Sequence, residues 1–576
     1  MFFRTKKSKG NEYLQIVQNR REGRKTKQSV IATLGRLDEM RKSGHMEALL
    51  RSGARFSEKL MILEARKKED TSDGFPSKRI GPALIFERLW EKTGCKAAVL
   101  KFLGHRKFDF PVERAIFLTV LHRLFCPGSD RAAEKWRKNY VIAGTEKLEL
   151  HHLYRAMFWL GKALDSEEQE GNTGFSPRCT KDLIEEALFD YRRDLFSELD
   201  IVFFDTTSLY FEGEGGQTIG QHGNSKDSRP DLKQMVVAAV LDGEGRPICC
   251  ELWPGNTTDV TTLIPVVNRL QKRFSIRNIC IVADRGMISK STIEKIESNE
   301  FEWQYILGAR MRKQTEVRDE VLARAGRYQI VHPKSKNLKD PSPLKVKETW
   351  VEERRYVVCL NEAQATKDTA DREAIIKSLR EHLKHGDKSL VGNKGFRKFL
   401  QTEGVHFAID EDKIKEEARF DGKWVLRTNT DLPASEVALK YKQLWVVEDL
   451  FRSIKSLLET RPIYHKCDET IRGHVFCSFL ALILRKEIQD RLESKDYSFE
   501  WADVVNDLNE LGQMDVIQDG KHFILRFESK GCCGKVFQAA GVAMPPTIRE
   551  VPPLAQNSKG DVCGANDLMN GVDRDF

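Results

Sequence analysis

The feature that most constrains the fold of this 576-residue chain is a change of pattern at residue 196, where short apolar runs begin. These runs are too short for buried helices and predict five strands, at 201–204, 235–241, 247–252, 279–283 and 303–307. Amphipathic segments at 261–274 and 289–298 predict helices between the later strands. Three strands in succession, followed by strand–helix alternation, indicate an α/β fold with a mixed sheet covered by helices.

The segments around this core differ from it in pattern. Alternating β-prone stretches predict a basic β-hairpin near the N-terminus, and helical spacing follows up to residue 195. A basic, β-prone stretch separates the core from two long predicted helices, 434–459 and 469–492, and we interpret it as an insertion. We predict six segments: a hairpin region 1–45, a helical region 46–195, a core 196–309, a β-rich insertion 310–430, the second part of the core 431–495, and a C-terminal region 496–576 with a disordered tail.

Composition limits the class of protein. Hydrophobic residues make up 40% and charged residues 31%, as in soluble globular proteins. No run of 18 apolar residues and no signal-peptide core is present, so we expect a cytoplasmic protein without a membrane partner. The twelve cysteines form no C-x-x-C pair, which favours buried free thiols over a zinc site.

The net charge of +9 is unevenly distributed. Residues 1–44 hold twelve lysines and arginines against four acidic residues, and residues 310–355 hold thirteen against seven. Basic clusters in an otherwise balanced chain point to a polyanion such as nucleic acid, but two solvated surfaces would have the same composition.

Two carboxylates directly follow predicted strands of the core. Asp205 comes after the run 201–204, and Asp284 comes after 279–283. Because functional groups collect at strand ends in open α/β sheets, we expect both side chains over one spot. Taken singly, each aspartate fits a cap of a turn or of a following helix better than a catalytic role.

Glu448 adds a third carboxylate, on the predicted helix 434–459. At helical spacing it shares a stripe with four other side chains, Tyr441, Trp445, Arg452 and Lys455. Such a mixture of aromatic, acidic and basic groups suits a helix that faces DNA and metal, although a solvated stripe with a Glu448–Arg452 pair is the alternative. Three carboxylates suit hard divalent cations, so we predict two Mg²⁺ ions, with Mn²⁺ as a substitute.

With these residues the sequence resembles insertion-sequence transposases of the DDE class, which have an RNase H-like catalytic fold. One branch carries the signature Tyr-x2-Arg-x3-Glu-x6-Lys, and Tyr441, Glu448 and Lys455 match its spacing. Leu444 stands at the arginine position, so Lys442 or Arg452 would supply that charge. The segments 205–207, 283–286 and 224–232 also resemble the branch, as does the β-rich insertion, and the likeness covers roughly residues 1 to 550.

The resemblance implies a transposase that cuts the ends of its element and joins the freed 3′-OH to target DNA. Asp205 would bridge both ions, while Asp284 and Glu448 would each complete one. The residues implied to contact DNA are Tyr441, Lys442, Arg452, Lys455, Arg285, Lys226 and Arg229. The implied partners are double-stranded terminal inverted repeats, target DNA and a second copy of the chain, in a nucleoid-associated protein.

Two other functions are compatible with the sequence. A metal-dependent nuclease on the same fold would cut without joining, and a DNA-binding protein derived from a transposase would keep the basic clusters alone. Three histidines, His222, His465 and His474, could assist phosphate binding, but structural hydrogen bonding is the more frequent role of such residues.

Overall fold

The computed structural model describes residues 2–8, 10–22, 25–54, 77–104, 106–165, 177–192, 201–274, 279–287, 289–297, 303–332, 343–384, 396, 398–403, 406–518 and 521–551. The chain divides into two compact units. One comprises residues 1–78, 512–528 and 545–576, and the other comprises residues 79–511 and 529–544. Across the described ranges, no helix is both long and apolar enough to cross a membrane. The predicted disordered tail lies outside these ranges.

The first unit contains two antiparallel sheets. Strands β1 (Phe2–Ser8), β2 (Asn11–Glu22) and β3 (Lys25–Arg36) pair in that order, so the predicted hairpin gains a third strand. Helices α1 (Leu37–Lys42) and α2 (His45–Ala54) follow, and Leu37 and Met40 bury Leu14 of β2. The second sheet has the order β18-β17-β16-β4, from the strands β4 (Ser77–Arg79), β16 (Gly512–Gln518), β17 (Lys521–Arg526) and β18 (Ile548–Val551).

The second unit begins with a helical region, as the spacing of apolar residues predicts. Its helices are α3 (Gly81–Lys92), α4 (Cys95–Leu103), α5 (Val112–Phe125), α6 (Asp130–Trp136), α7 (Leu150–Gly161) and α8 (Thr180–Arg192). They share one hydrophobic core, in which the side chains of Phe86, Trp90 and Phe117 are fully buried. Eleven cysteines lie in the described ranges as free thiols, most of them buried, as expected.

A nine-stranded sheet forms the centre of the same unit. The predicted strands appear as β5 (Ile201–Tyr210), β6 (Gln234–Leu241), β7 (Pro247–Pro254), β8 (Cys280–Ala283) and β9 (Gln304–Gly308). Their order is β9-β8-β5-β6-β7, with β5, β8 and β9 parallel and β6 antiparallel to both neighbours. This mixed order is that of an RNase H-like core. Helices α9 (Asp259–Phe274) and α10 (Lys290–Glu297) accompany these strands.

The insertion extends this sheet. Strands β10 (Gln329–Val331), β11 (Leu344–Val351), β12 (Arg354–Leu360) and β15 (Lys423–Thr428) continue it beyond β9 in the order β10-β11-β12-β15. Because β15 pairs with β9, the core strand β9 has partners on both sides and presents no open edge. Four further elements of the insertion are α11 (Glu362–Lys384), β13 (Leu400–Glu403), β14 (His406–Ile409) and α12 (Glu411–Ala418).

The predicted helix 434–459 is interrupted twice. Helix α13 (Ala434–Lys442) ends in a tight turn, in which Leu444 and Val447 donate backbone hydrogen bonds to residues three positions earlier. Helix α14 (Trp445–Arg452) then continues into a widened π-helical turn, Ser453–Leu457. The second predicted helix is confirmed as α15 (Asp468–Glu493), and α16 (Trp501–Glu510) and α17 (Cys533–Ala540) complete the unit.

Candidate active site

Asp205 and Asp284 are brought side by side by the central sheet. Strands β5 and β8 are parallel, and Phe204 of β5 pairs with Ala283 of β8. Asp205 and Asp284 are the residues that come directly after this pair. Because the backbones of neighbouring strands lie about 5 Å apart, the two aspartates start from adjacent positions. Asp284 directly follows β8, as expected, whereas Asp205 lies within β5 because the strand continues to Tyr210 by pairing with β6.

The carboxylate of Asp205 is half-buried and crowded by other acids. Burial raises its pKa to about 6, although the ammonium of Lys226 and the backbone N–H of Thr206 act in the opposite direction. Thr206 donates this hydrogen bond to Oδ1 at 2.7 Å. The negative charges of Asp284 and Asp259 raise the pKa further. The carboxylate of Asp205 would therefore be stabilised by a bound cation.

Tyr441 connects helix α13 to the second aspartate. Its hydroxyl donates a hydrogen bond of 2.9 Å to Oδ1 of Asp284, which is otherwise exposed. Burial and the charge of Asp284 raise the pKa of Tyr441, so the hydroxyl remains a donor. The ring passes over Gly308 of β9, where a Cβ atom would collide with the hydroxyl. Tyr441 therefore orients a carboxylate in this structure.

Glu448 is exposed on α14, which packs against β5. In the described ranges, the oxygens of Glu448, Asp205 and Asp284 do not all lie within 4.8 Å of one another. The tight turn before α14 buries Leu444, which is 9% exposed and belongs to the hydrophobic core. An apolar residue at the arginine position of the signature is thus explained by packing. Trp445, three residues before Glu448, is 45% exposed.

Lys226 lies beside the aspartates in a polar network. Its ammonium donates to the backbone oxygen of Thr206 at 2.7 Å and to the Thr206 hydroxyl at 2.9 Å, and it pairs with Asp259 at 3.0 Å. The same hydroxyl donates to Asp259 at 2.7 Å. Lys226 is therefore engaged with the strand that carries Asp205, which supports a positioning role at this place.

The lysine of the signature is held by an acid that no pattern in the sequence singles out. Lys455 pairs with Asp227 at 2.7 Å, and Arg461 binds the other oxygen of the same carboxylate at 2.7 Å. Asp227 lies within the segment 224–232 that resembles the family, but no spacing rule links it to Lys455, which is 228 positions away. Asp259 on α9 was also not identified from the sequence, because its partners Lys226 and Thr206 are distant in the sequence.

The remaining cations predicted to contact DNA are mostly exposed. Arg229 pairs with Asp231 at 2.8 Å, and Arg452 pairs with Asp449 at 3.3 Å. Arg285 is exposed next to Asp284, and its backbone oxygen accepts a hydrogen bond from Arg310 at 3.0 Å. Lys442, at the end of α13, is half-buried. Lys226 contacts Thr206 of β5, and Arg229 and Arg461 lie over the ring of Tyr210 at the end of the same strand. With Lys455, which pairs with Asp227, these cations form a basic surface beside β5.

Two of the three histidines belong to a different cluster. His465 and His474 lie with Asp130 in a group whose ligand atoms are all within 4.8 Å of one another. However, Arg123 lies 2.8 Å from Nδ1 of His474 and also donates to the His474 backbone oxygen at 2.6 Å. A guanidinium thus already supplies the positive charge at this place, which favours the structural interpretation. His222 is exposed.

The carboxylates of Asp205, Asp284 and Glu448 suit a divalent cation better than the histidine cluster does. Their oxygens are hard ligands, and none of Asp205, Asp284 and Glu448 makes an ion pair with any cation in the described ranges. Burial, and to a smaller extent the charges of Asp284 and Asp259, raise the pKa of Asp205, and a bound cation would oppose both effects by stabilising the ionised carboxylate. The donor set and the electrostatics both fit a metal ion here.

Two family profiles match the chain. One, described as "Transposase DDE domain", matches residues 197–484, which is half of the chain. The other, described as "IS1634 family transposase, N-terminal domain", matches residues 3–68. No curated protein matches the sequence.

Among solved structures, the chain resembles a piggyBac transposase in a synaptic complex with hairpin DNA. The TM-score is 0.36 at 11% identity, over 74% of this chain and 79% of that one. It also resembles the Mos1 transposase in a paired-end complex with the left transposon end, with a TM-score of 0.14 at 13% identity, over 35% of this chain and 61% of that one.

Proposed function

Because this chain belongs to the family of transposases with a DDE domain, we propose that Asp205, Asp284 and Glu448 are the catalytic carboxylates with which it cuts and joins DNA. The family makes the chain a DNA transposase that depends on divalent metal ions. The observation that carries the assignment is the pair Asp205 and Asp284, which lie side by side at two parallel strands and make no direct ion pair with a cation in the described ranges.

The three carboxylates would hold the two Mg²⁺ ions. Bound divalent ions activate a water or 3′-OH nucleophile and stabilise the leaving oxygen of a phosphodiester. The chain's own residues set the geometry. Tyr441 holds Asp284 through its hydroxyl, and Lys226 with Thr206 holds the strand around Asp205. Glu448 stands on a separate helix that packs against β5, so movement of this helix would tighten the site.

The DNA would lie across the basic surface on this side of the sheet. Arg285, Arg452 and Lys455 are proposed to bind backbone phosphates, and Lys442 and Arg229 to extend the contact. The N-terminal region 1–45 and the helical region 46–195 are proposed to hold the terminal inverted repeats. Two copies would act together on paired ends. Since phosphate contacts dominate, affinity should fall steeply with salt.

A strand-transfer assay on the full chain tests this function. We expect Mg²⁺- or Mn²⁺-dependent nicking of DNA that carries the terminal repeats, followed by a joined product. Asp205→Asn should abolish both steps while binding persists, and Asp231→Asn, an exposed acid of the same region, serves as the matched control. Cleavage without a joined product would indicate a nuclease, and binding without metal-dependent cleavage would indicate a DNA-binding protein.

A further inference from the structure

The segment that follows Lys226 begins with a buried acid that has an unusual set of partners. The side chain of Asp227 is only 5% exposed. Among the described residues, it does not cap a helix or a turn, which is the usual reason for a buried aspartate. Its oxygens each face one cation instead, Oδ1 towards Lys455 and Oδ2 towards Arg461, both at 2.7 Å. A buried carboxylate with two cations leaves a net positive charge at this place.

The two cations come from different elements. Lys455 stands in the π-helical turn after α14, and Arg461 follows in the loop before α15. The π-helical turn is held by Ser453, whose hydroxyl donates to the Asp449 backbone oxygen at 2.9 Å and accepts from Arg485. Widened turns of this kind change the direction of the side chains that follow. Among the described residues, Asp227 is the group that joins Lys455 to Arg461.

Both cations retain donors for a ligand. An ammonium has three N–H groups and a guanidinium five. Asp227 accepts one hydrogen bond from Lys455, and its contact with Arg461 is an ion pair. The side chains of Lys455 and Arg461 are 14% and 25% exposed, so part of each reaches solvent. On the same side, the guanidinium groups of Arg461 and Arg229 lie 5.3 and 5.7 Å from the ring centroid of Tyr210. The ring thus restricts a second side of Arg461.

We propose that Asp227 is a positioning residue that holds Lys455 and Arg461 side by side as a clamp for DNA backbone phosphate, near the end of β5. This inference rests on the proposed function, since the ligand is the DNA that the carboxylates cut. It explains why an acid lies within a surface that binds DNA, although a carboxylate by itself would repel phosphate. It also adds Arg461 to the phosphate contacts.

Removal of the acid should misplace both cations. Asp227→Ala is expected to lower the affinity for end-repeat DNA and to reduce the slope of log affinity against log salt. The slope changes by roughly 0.9 for each phosphate that the protein no longer neutralises, so close to 2 for both cations. Asp412→Ala, whose acid is 96% exposed and pairs with the exposed Lys415 on α12, is the matched control and should leave the slope unchanged. Equal slopes for Asp227→Ala and wild type would overturn the clamp.

A double-mutant cycle separates positioning from a general structural role. If Asp227 acts through its two cations, Asp227→Ala should have no further effect on binding in a chain that already carries Lys455→Ala and Arg461→Ala. The same additional loss in that background as in wild type would contradict the proposal. Should Asp227→Ala fail to fold, Asp227→Asn and Asp227→Glu serve in its place, with Glu expected to restore part of the binding.

The pH dependence of binding provides a readout that a purely structural role would not move. Burial lowers the pKa of Lys455, Asp227 opposes this effect, and the charges of Arg461 and Lys226 add to the lowering. In Asp227→Asn the opposing charge is gone, so Lys455 should lose its proton at a lower pH. Binding should therefore weaken at a lower alkaline pH than in wild type. Adding Lys455→Arg should remove this shift, because arginine stays protonated.

Binding and cleavage are measured separately on the full chain, so that two failures can be told apart. Intact metal-dependent cleavage without any Asp227-dependent change in binding would contradict the clamp alone. Asp227-dependent binding without metal-dependent cleavage in the wild type would contradict the proposed function and support the clamp. A persistent alkaline shift in the Asp227→Asn, Lys455→Arg double variant would show that Lys455 is not the titrating group.

Discussion

Two groups of acidic side chains in the same unit differ in the cations that accompany them. The first, which we call the buried charge network, lies between α8, β7 and α9 and consists of Lys181, Asp182, Glu185, Glu251, Arg269 and Arg273. The second is the carboxylate site, formed by Asp205, Asp284 and Glu448. Side chains of the network are 0–6% exposed, whereas the carboxylate site opens to solvent.

Every acid of the network contacts a cation. Lys181 pairs with Asp182 at 2.8 Å, and Arg273 pairs with Glu185 at 2.7 Å and with Glu251 at 3.1 Å. Burial alone would raise the pKa of Asp182, but these cations outweigh it and hold the pKa well below its ordinary value. Burial still raises the pKa of Glu185. In the carboxylate site no such pair forms in the described ranges.

We interpret this difference as one between acids that support the fold and acids that we propose to bind a ligand. A buried ion network is stable only when its charges are matched. Carboxylates left without cations cost stability, and such a cost persists where function requires it. We therefore expect changes in the network to affect folding and changes in the carboxylate site to affect chemistry. Four experiments on three substitutions test this distinction, from the largest expected effect to the smallest.

The largest effect should follow from Asp205→Asn. We expect DNA cleavage to fall by about a thousandfold or more, because the charge that binds metal at the reacting phosphate is lost. Single-turnover cleavage with excess protein measures this effect without interference from binding. The variant should remain folded. Cleavage within about tenfold of wild type would mean that the unpaired acid is not the catalytic one, and the contrast between the two groups would lose its meaning.

In the network, Arg273→Met should lower the free energy of unfolding by about 3–5 kcal/mol. The substitution leaves Asp182, Glu185 and Glu251 without their shared guanidinium partner. Denaturant unfolding at constant salt measures the effect. Arg380→Met is the control, since that arginine is 59% exposed in a surface pair and should change stability by less than about 0.5 kcal/mol. Similar values for both variants would break the comparison.

A smaller effect is expected on the stability of the metal-free protein. Because folding raises the pKa of Asp205 from 3.8 to about 6, the unfolded chain ionises before the folded protein does. Stability is therefore lost as the pH rises from about 4 to 6 and stays lower above that range, a loss that Asp205→Asn does not share. The variant should be more stable than wild type by about 1–3 kcal/mol at pH 8, and the difference should vanish below about pH 4. Thermal unfolding across this range measures it. Added divalent cation should reverse the order, and a difference that is independent of pH would contradict the electrostatic cause.

The smallest effect concerns Tyr441→Phe. The variant loses the hydrogen bond to Asp284, which is worth about 1 kcal/mol, so cleavage should slow by roughly fivefold with binding nearly unchanged. Tyr464→Phe is the matched control, because Tyr464 is 63% exposed. A large loss of DNA affinity in Tyr441→Phe would instead support direct contact between this hydroxyl and a phosphate.

The core strands and the first two carboxylates could be predicted because their signals are local. Apolar runs predicted β5 to β9, and the strand pattern indicated that Asp205 and Asp284 meet. The family segments added Glu448 and Lys455. The end of β5 was misplaced, since Thr206 to Tyr210 lack an apolar run and become strand only by pairing with β6.

Long-range partners were decided by the tertiary structure alone. The strands of the insertion join the central sheet because β9 offers an edge that β15 completes, and no periodicity in the chain announces such pairing. The turns around α14 bury Leu444 and redirect Lys455 towards Asp227, so that one continuous helical stripe does not form. Local pattern specifies which residues can form strands and carry charge, because side-chain periodicity follows from backbone geometry. The acid Asp227 receives its cations from Lys455 and Arg461, distant in sequence, and only packing brings these residues together.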